Sequence, residues 1–201
     1  MTEDLTSLLS VNRLSVRFKR PIPQLALSEI EFSVPKNSII GIVGESGSGK
    51  SLTAMSIMGL LDTSNTEVSG RVTFEGEPIF PNQSNRVRKL RGKAIAMIFQ
   101  DPMTGLNPAK RCGAQVDEML MFQLELSRDK AKAKTLELFE QVKLPDPEAM
   151  YRRYPHQLSG GQMQRVMIAM AISCEPKLLI ADEPTTALDV TVQKEIIELL
   201  K

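Results

Sequence analysis

Gly44-Glu45-Ser46-Gly47-Ser48-Gly49-Lys50-Ser51 is the stretch that decides the fold. An apolar run precedes it, Ile39-Ile40-Gly41-Ile42-Val43, and an apolar-periodic segment follows over residues 52–61. The context predicts a strand, a glycine loop and a helix, and the spacing fits the G-x-x-x-x-G-K-[ST] phosphate-binding pattern. Glycines let the backbone curl until successive N–H groups point into one concavity, which attracts anions. A helix beginning near Lys50 adds the positive end of its dipole. Lys50 is long enough to reach the outer phosphates of a nucleotide, and the Ser51 hydroxyl is suited to Mg²⁺. The alternative, a glycine-rich turn with an ordinary surface lysine, explains neither the strand before it nor the helix after it.

Working outward, composition narrows the class. The chain has 201 residues, 42% of them apolar, which allows one domain with a real core and room for an inserted subdomain. With 25 basic and 24 acidic residues it is not a general polyanion binder. One basic run, Arg86, Arg88, Lys89, Arg91 and Lys93, has no interleaved aromatics and reads as a solvated loop leading into a strand. Nucleic acid is not an expected partner. Cys112 and Cys174 lie far apart without metal-ligand spacing, as expected of reduced thiols in a cytosolic protein. The acidic start Met1-Thr2-Glu3-Asp4 does not resemble a signal peptide, and no apolar run approaches the roughly 20 residues that span a bilayer. Any membrane association is expected to run through a partner.

In chain order, Val11, Leu14, Val16 and Phe18 predict a strand; Ile30, Phe32 and Val34 predict another, turning at Pro35-Lys36-Asn37. Residues 70–74 and 94–99 read as strands, the first ending at the turn Glu75-Gly76-Glu77-Pro78. Residues 101–108, Asp-Pro-Met-Thr-Gly-Leu-Asn-Pro, read as hostile to helix. Over residues 113–142 strands disappear. Val116, Met119 and Leu120, then Leu136, Leu138, Phe139 and Val142, recur at helical spacing, with Lys130, Lys132 and Lys134 facing Glu137 and Glu140 along a solvated face. We expect a helical subdomain over approximately 113–157. The methionines there and at 163, 167 and 170 read as core filler. Leu158-Ser159-Gly160-Gly161-Gln162 opens a further helix with Ser159 at the N-cap, a second anion-binding helix start. Leu178-Leu179-Ile180-Ala181 is a short strand, and residues 190–200 begin a last helix. The whole pattern predicts a mixed α/β domain with an antiparallel start.

At the carboxyl end of residues 178–181 stand Asp182 and Glu183, where ligands of parallel sheets bind. Asp182 is placed to hold Mg²⁺ directly or through water. Glu183, pointing to the other side, is placed to orient and deprotonate an attacking water. A metal charge keeps Asp182 ionised while Glu183 remains a free base.

With these residues quoted, the chain resembles the nucleotide-binding domains of ATP-binding-cassette (ABC) proteins. Residues 158–162 match that family's signature loop residue for residue. The resemblance implies a P-loop NTPase fold with an antiparallel β subdomain and a helical insertion. It implies ATP and Mg²⁺ held by residues 44–51, and Ser159, Gly160, Gly161 and Gln162 acting on the nucleotide of an opposite domain. It makes Gln100 the Q-loop glutamine that touches Mg²⁺ or water, and Ala187-Leu188-Asp189 the D-loop. Phe18 occupies the position of an adenine-stacking aromatic, the other reading being a core phenylalanine. A finer resemblance, carried by residues 98–108, Tyr154-Pro155-His156-Gln157-Leu158 and residues 180–190, is to the ATPases of dipeptide, oligopeptide and nickel importers. It implies permease subunits in the membrane, a second ABC ATPase domain, an extracytoplasmic solute-binding protein reached indirectly, and a peripheral position on the cytoplasmic face of the inner membrane.

Gly105, where a serine is usual, and Gln162-Met163-Gln164-Arg165 depart from the common pattern without removing a group needed for ATP. His156, the single histidine, lies ahead of the signature. The family's switch histidine on a later strand therefore has no counterpart, and the chain reads as a C-terminally truncated domain with its last strands missing. Three readings stay open: the ATPase of a peptide-type importer; an ABC ATPase of a non-transport class, whose long insertions or zinc modules are not seen; and a remnant that binds ATP without cycling. The transported solute and the choice of homo- or heterodimer are not written in this sequence.

Overall fold

The computed structural model describes residues 7–80, 84–184, 188 and 190–200, Ser84 by its backbone alone. The chain divides into two compact units, Met1–Arg91 and Gly92–Lys201.

The first unit is built on a four-stranded antiparallel sheet. Strands β1 (Ser7–Phe18), β2 (Gln24–Pro35), β3 (Thr66–Phe74) and β4 (Glu77–Phe80) lie in the order β2-β1-β3-β4. The central strand β1 carries a slip in its pattern. Leu9 and Val11 are buried at period two, then Leu14 and Val16, so the apolar phase jumps by three between Val11 and Leu14. A one-residue slip would turn the second half outward, and a bulge is the device that prevents it. The register breaks there against both neighbours, with Arg13 at φ 48°. Opposite it, Gly70 sits at φ 104°, where a Cβ would come within 2.4 Å of the Arg13 carbonyl oxygen. Strand β4 falls where the sequence suggested a turn; only Glu75-Gly76 turns, and Ile79 is buried beyond it.

Helix α1 (Lys50–Ile57) follows the glycine loop, and α2 (Ser84–Leu90) precedes the second unit. Arg86, Arg88 and Lys89 of the basic run thus lie on a helix and not in a loop, and Arg91 and Lys93 follow it. Arg86 donates to Glu77 at 3.0 Å. The Arg91 guanidinium donates to the carbonyls of Met58 and Gly59 at 2.7 and 2.6 Å, capping the C-terminal end of α1. Burial, then the neighbouring Arg88, pulls the Arg91 pKa down.

One expectation fails. Residues 39–43 form no strand, and Ile39, Ile42 and Val43 are 72, 52 and 95% exposed. A strand needs a neighbour to take up its N–H and C=O groups. Among the described residues no strand pairs with this run, so its β-branched sequence is left without a ladder.

The second unit holds a parallel pair, β5 (Ile95–Ile98) and β6 (Leu178–Ala181), in register Ile95 with Leu178 through Ile98 with Ala181. Between them come α3 (Pro102–Gly105), α4 (Cys112–Leu124), α5 (Arg128–Gln141), α6 (Pro147–Arg152), a 3-10 turn at Pro155–Gln157 and α7 (Gly160–Ile172); α8 (Val190–Leu199) follows β6. Helix α3 overturns the helix-hostile reading of that stretch. Asp101 caps it by accepting from the Met103 N–H at 2.8 Å, and Pro102 occupies the first turn, where its missing N–H costs nothing. Leu120, Phe139, Val142, Val166, Met167 and Ile196 lie in one core, almost wholly buried. Each such side chain stabilises by about 1.5–3 kcal/mol. Two lysines of α5 bond away from their own helix: Lys134 pairs with Glu175 at 2.8 Å and Lys132 with Glu148 at 3.8 Å.

A buried polar knot joins three of these helices. Asp117 of α4, 6% exposed, accepts from Thr135 of α5 at 2.6 Å and from the Tyr151 hydroxyl of α6. Gly113 lets the Tyr151 ring pack close against α4, since a Cβ there would stand 2.0 Å from the ring. Burial, then the bond to Asp117 and its charge, raises the Tyr151 pKa from 10.0 to about 12. Because the folded-state value is raised, the stability this hydroxyl contributes is full below its ordinary value and is lost as pH rises through the higher one. Tyr151→Phe is expected to lower unfolding free energy by about 1–2 kcal/mol near neutral pH. The difference from the parent should shrink between pH 10 and 12, read from urea midpoints. Equal midpoints at pH 7 would remove the knot from the stability of this unit.

Candidate functional site

The glycine loop lies in the first unit. Gly47 and Gly49 have φ values of 81° and 95°, conformations that side chains resist. The loop closes on Lys50, whose ammonium donates to the carbonyls of Gly44 and Glu45, both at 2.8 Å. The Ser48 N–H donates to the Glu45 carbonyl at 3.2 Å. Gly44, Glu45, Ser46, Gly47 and Ser48 are exposed, and Lys50 and Ser51 half-buried. Gly49 is the N-cap of α1 and provides no side-chain bond. The first N–H groups of α1 therefore have no cap and present positive potential at the loop. Phe18 is half-buried at the end of β1, in register with Gln24 and Thr66; both readings of its ring stand.

The carboxylates lie in the second unit, at the C-terminal ends of β5 and β6. The Asp182 N–H donates to the Ile98 carbonyl at 3.0 Å, extending the parallel ladder by one bond. One residue on, Glu183 turns to φ 48° and is exposed. Its carboxylate accepts from the Gln100 side-chain amide at 2.9 Å. So Gln100, Asp182 and Glu183, far apart in sequence, gather at one sheet end. Among the described residues no group of three or more His, Cys, Asp or Glu side chains forms a metal cage. In the second unit Asp182 and Gln100 offer carboxylate and amide oxygens, and in the first Ser51 offers a hydroxyl. Oxygen donors too few to enclose an ion suit Mg²⁺, which keeps waters and shares substrate phosphates.

The second helix start is built differently from the first. Ser159 caps α7: its Oγ accepts from the Gln162 N–H at 3.3 Å, and the Gln162 Oε1 accepts from the Ser159 N–H at 3.0 Å, a full capping box. Ser159 and Gly160 are exposed, Gly161 and Gln162 half-buried. The Gln162 carbonyl oxygen is committed to the cap. The Ser159 O–H and the glycine N–H groups of the first turn are the donors outside the capping box. Of the D-loop residues, Ala187 and Asp189 lie outside the described residues, and Leu188 is half-buried. His156 stacks on Tyr154 at 5.6 Å between ring centres.

Sequence reasoning passed over one residue here. Gln164, on α7, is fully buried and its side-chain amide lies 3.5 Å from the Glu183 carbonyl oxygen. The signal was available: a glutamine at an apolar-facing position between Met163 and Val166 has to find polar partners.

Residues 27–186 match the family described as ABC transporter. The chain is 51% identical over 195 residues to the dipeptide transport ATP-binding protein DppD of Haemophilus influenzae, covering 96% of this chain and 59% of that protein. It is 45% identical over 201 residues to the oligopeptide transport ATP-binding protein AppD of Bacillus subtilis, covering 98% and 61%. The chain thus spans about 60% of the length of the curated relatives it matches. Among solved structures, a dimeric ATP-binding cassette in a post-hydrolysis state with ADP and phosphate bound superposes with a TM-score of 0.85 at 28% identity, covering 96% of this chain and 81% of that one.

The loop geometry makes Gly49 a sensitive point. A Cβ would stand 2.3 Å from Leu27 Cδ2, and the backbone at φ 95° is strained for any side chain. Gly49→Ala is expected to cost about 1–2 kcal/mol from the backbone alone. Adding Leu27→Ala relieves the clash but not that penalty, so the Gly49→Ala effect should persist in a double-mutant cycle read by urea unfolding. Its disappearance there would make the clash, and not the backbone, the reason for glycine.

Proposed function

The chain belongs to the ABC transporter family, and from that premise we propose that it is the ATP-binding, ATP-hydrolysing subunit of a peptide-type importer. The observation that carries the reading is the gathering of Gln100, Asp182 and Glu183 at one sheet end, in a chain that also contains the uncapped glycine loop. Residues 44–51 hold the phosphates. Lys50 exchanges two carbonyl acceptors of its own loop for phosphate oxygens, so the loop is already curled around the charge that recruits the ligand. Ser51 in the first unit, and Asp182 and Gln100 in the second, would each supply an oxygen to Mg²⁺, which when bound would offset charge on the phosphates. Glu183 takes the proton of the attacking water. For that its carboxylate must leave the Gln100 amide or share it with the water. Ser159, Gly160, Gly161 and Gln162 serve the nucleotide of a second ABC ATPase domain, and Phe18 the adenine.

The peptide substrate class is supported by the relatives' names as dipeptide and oligopeptide transport proteins. Among the described residues no helix is long and apolar enough to cross a membrane. We place the subunit at the cytoplasmic face of the inner membrane, held there by permease subunits, with an extracytoplasmic solute-binding protein upstream. The helices over residues 113–157 are the proposed subdomain that meets the permease.

Two substitutions test the roles. Lys50→Ala removes a point charge from a loop and should abolish tight Mg-ATP binding while the circular dichroism spectrum stays unchanged; binding at parental affinity would end the phosphate-loop assignment. Glu183→Gln keeps shape but accepts no proton. It should bind ATP and lose about 10²–10⁴ in hydrolysis rate, and parental turnover by this variant would take Glu183 out of the chemistry.

A further inference from the structure

We propose that Gln164 is a positioning residue for Glu183, fixing the backbone from which the base is aimed. The inference rests on the reading of Glu183 as the base, and its geometry lies within one unit. Helix α7 is otherwise apolar where it is buried: Met163, Val166, Met167, Ile168 and Ala169 all face the core. A fully buried amide among them is retained for its bonds, since a polar side chain taken out of water has to find partners. One of them is the Glu183 carbonyl oxygen, 3.5 Å from Gln164 Nε2.

The placement matters because of what surrounds Glu183. On its N-terminal side the chain is tied into the sheet by the bond from the Asp182 N–H to the Ile98 carbonyl. Glu183 itself is left-handed at φ 48°, a conformation that a non-glycine residue keeps only when its neighbours hold it. On its C-terminal side the Glu183 carbonyl oxygen accepts from Gln164. The carboxylate is separately held by Gln100 at 2.9 Å. Gln100 thus bonds the carboxylate and Gln164 the backbone carbonyl. A glutamine five positions after the Ser159 cap ties the helix that opens with the signature loop to the proposed base.

Gln164→Met keeps length and apolar bulk but cannot donate. It is expected to lower kcat for ATP about tenfold, with KM within about twofold, because the nucleotide-binding groups are untouched. Combined with Glu183→Gln it should cause no further loss, since a positioning residue has nothing to position once the base is gone. Independently of turnover, the Asp182 and Glu183 amides should exchange with solvent faster in Gln164→Met, while those in the middle of α7 do not. Where Gln164→Met does not fold, Gln164→Glu carries the same test. Its neutral acid donates and its anion does not, so protection at residues 182 and 183, corrected for intrinsic rates, should rise as pH falls. Unchanged exchange at these two amides overturns the proposal, as does a loss that adds in full to that of Glu183→Gln. A parental chain that hydrolyses no ATP would count against the proposed function and leave the exchange result to decide Gln164.

Discussion

The chemistry-bearing end of the second unit depends on one backbone bond, from the Asp182 N–H to the Ile98 carbonyl. It is the last rung of the β5–β6 ladder and lies one residue beyond the end of β6. Parallel strands cannot be joined by a tight turn, so residues 99–177 fill the crossover between them. Those residues form the helices whose core contains Phe139 and Met167. The packing of that core brings Gln100, leaving β5, beside Glu183, leaving β6. The register from Ile95 with Leu178 to Ile98 with Ala181 starts the two loops at one height, this rung carries that alignment one residue on, and the 2.9 Å contact between their side chains lies just beyond it.

Much of this was legible in the sequence because it is local. The glycine loop, the Ser159 cap and the apolar run ending at Asp182 are each specified by a few consecutive residues. Propensity and capping rules suffice for such segments. Pairing is less legible. Residues 39–43 have the β-branched composition of a strand but no partner among the described residues, and composition does not supply one. Helix α3 was missed for the converse reason: two prolines and a glycine outweighed an Asp101–Pro102 start that is a good helix N-terminus. The slip between Val11 and Leu14 could have been read, since a jump of three in a period-two pattern requires a bulge. Reading it requires knowing that both halves face the same core. The Asp117 knot lay beyond reach, because Asp117, Thr135 and Tyr151 come from three helices and none is unusual by itself.

The two helix starts solve one electrostatic problem in opposite ways. An α-helix begins with four unpaired N–H groups. At α1 the cap is Gly49, with no side chain, and the nearest substitute for an anion's charge balance is Lys50 turned back on the loop carbonyls. That start offers its N–H groups to an anion, as a primary phosphate site would. At α7 Ser159 and Gln162 satisfy each other, so the helix is complete without a ligand. An anion arriving there gains the dipole and the donors outside the capping box but does not organise the loop. A site of that kind binds weakly alone and strongly only when a partner delivers the anion already held. This asymmetry fits a chain that grips its own nucleotide with residues 44–51 and lends residues 159–162 to another's. The proposed role for Gln164 follows from the same asymmetry. A rigid, self-capped helix can fix the Glu183 backbone, whereas one that folded only on binding would move the base each time it did so.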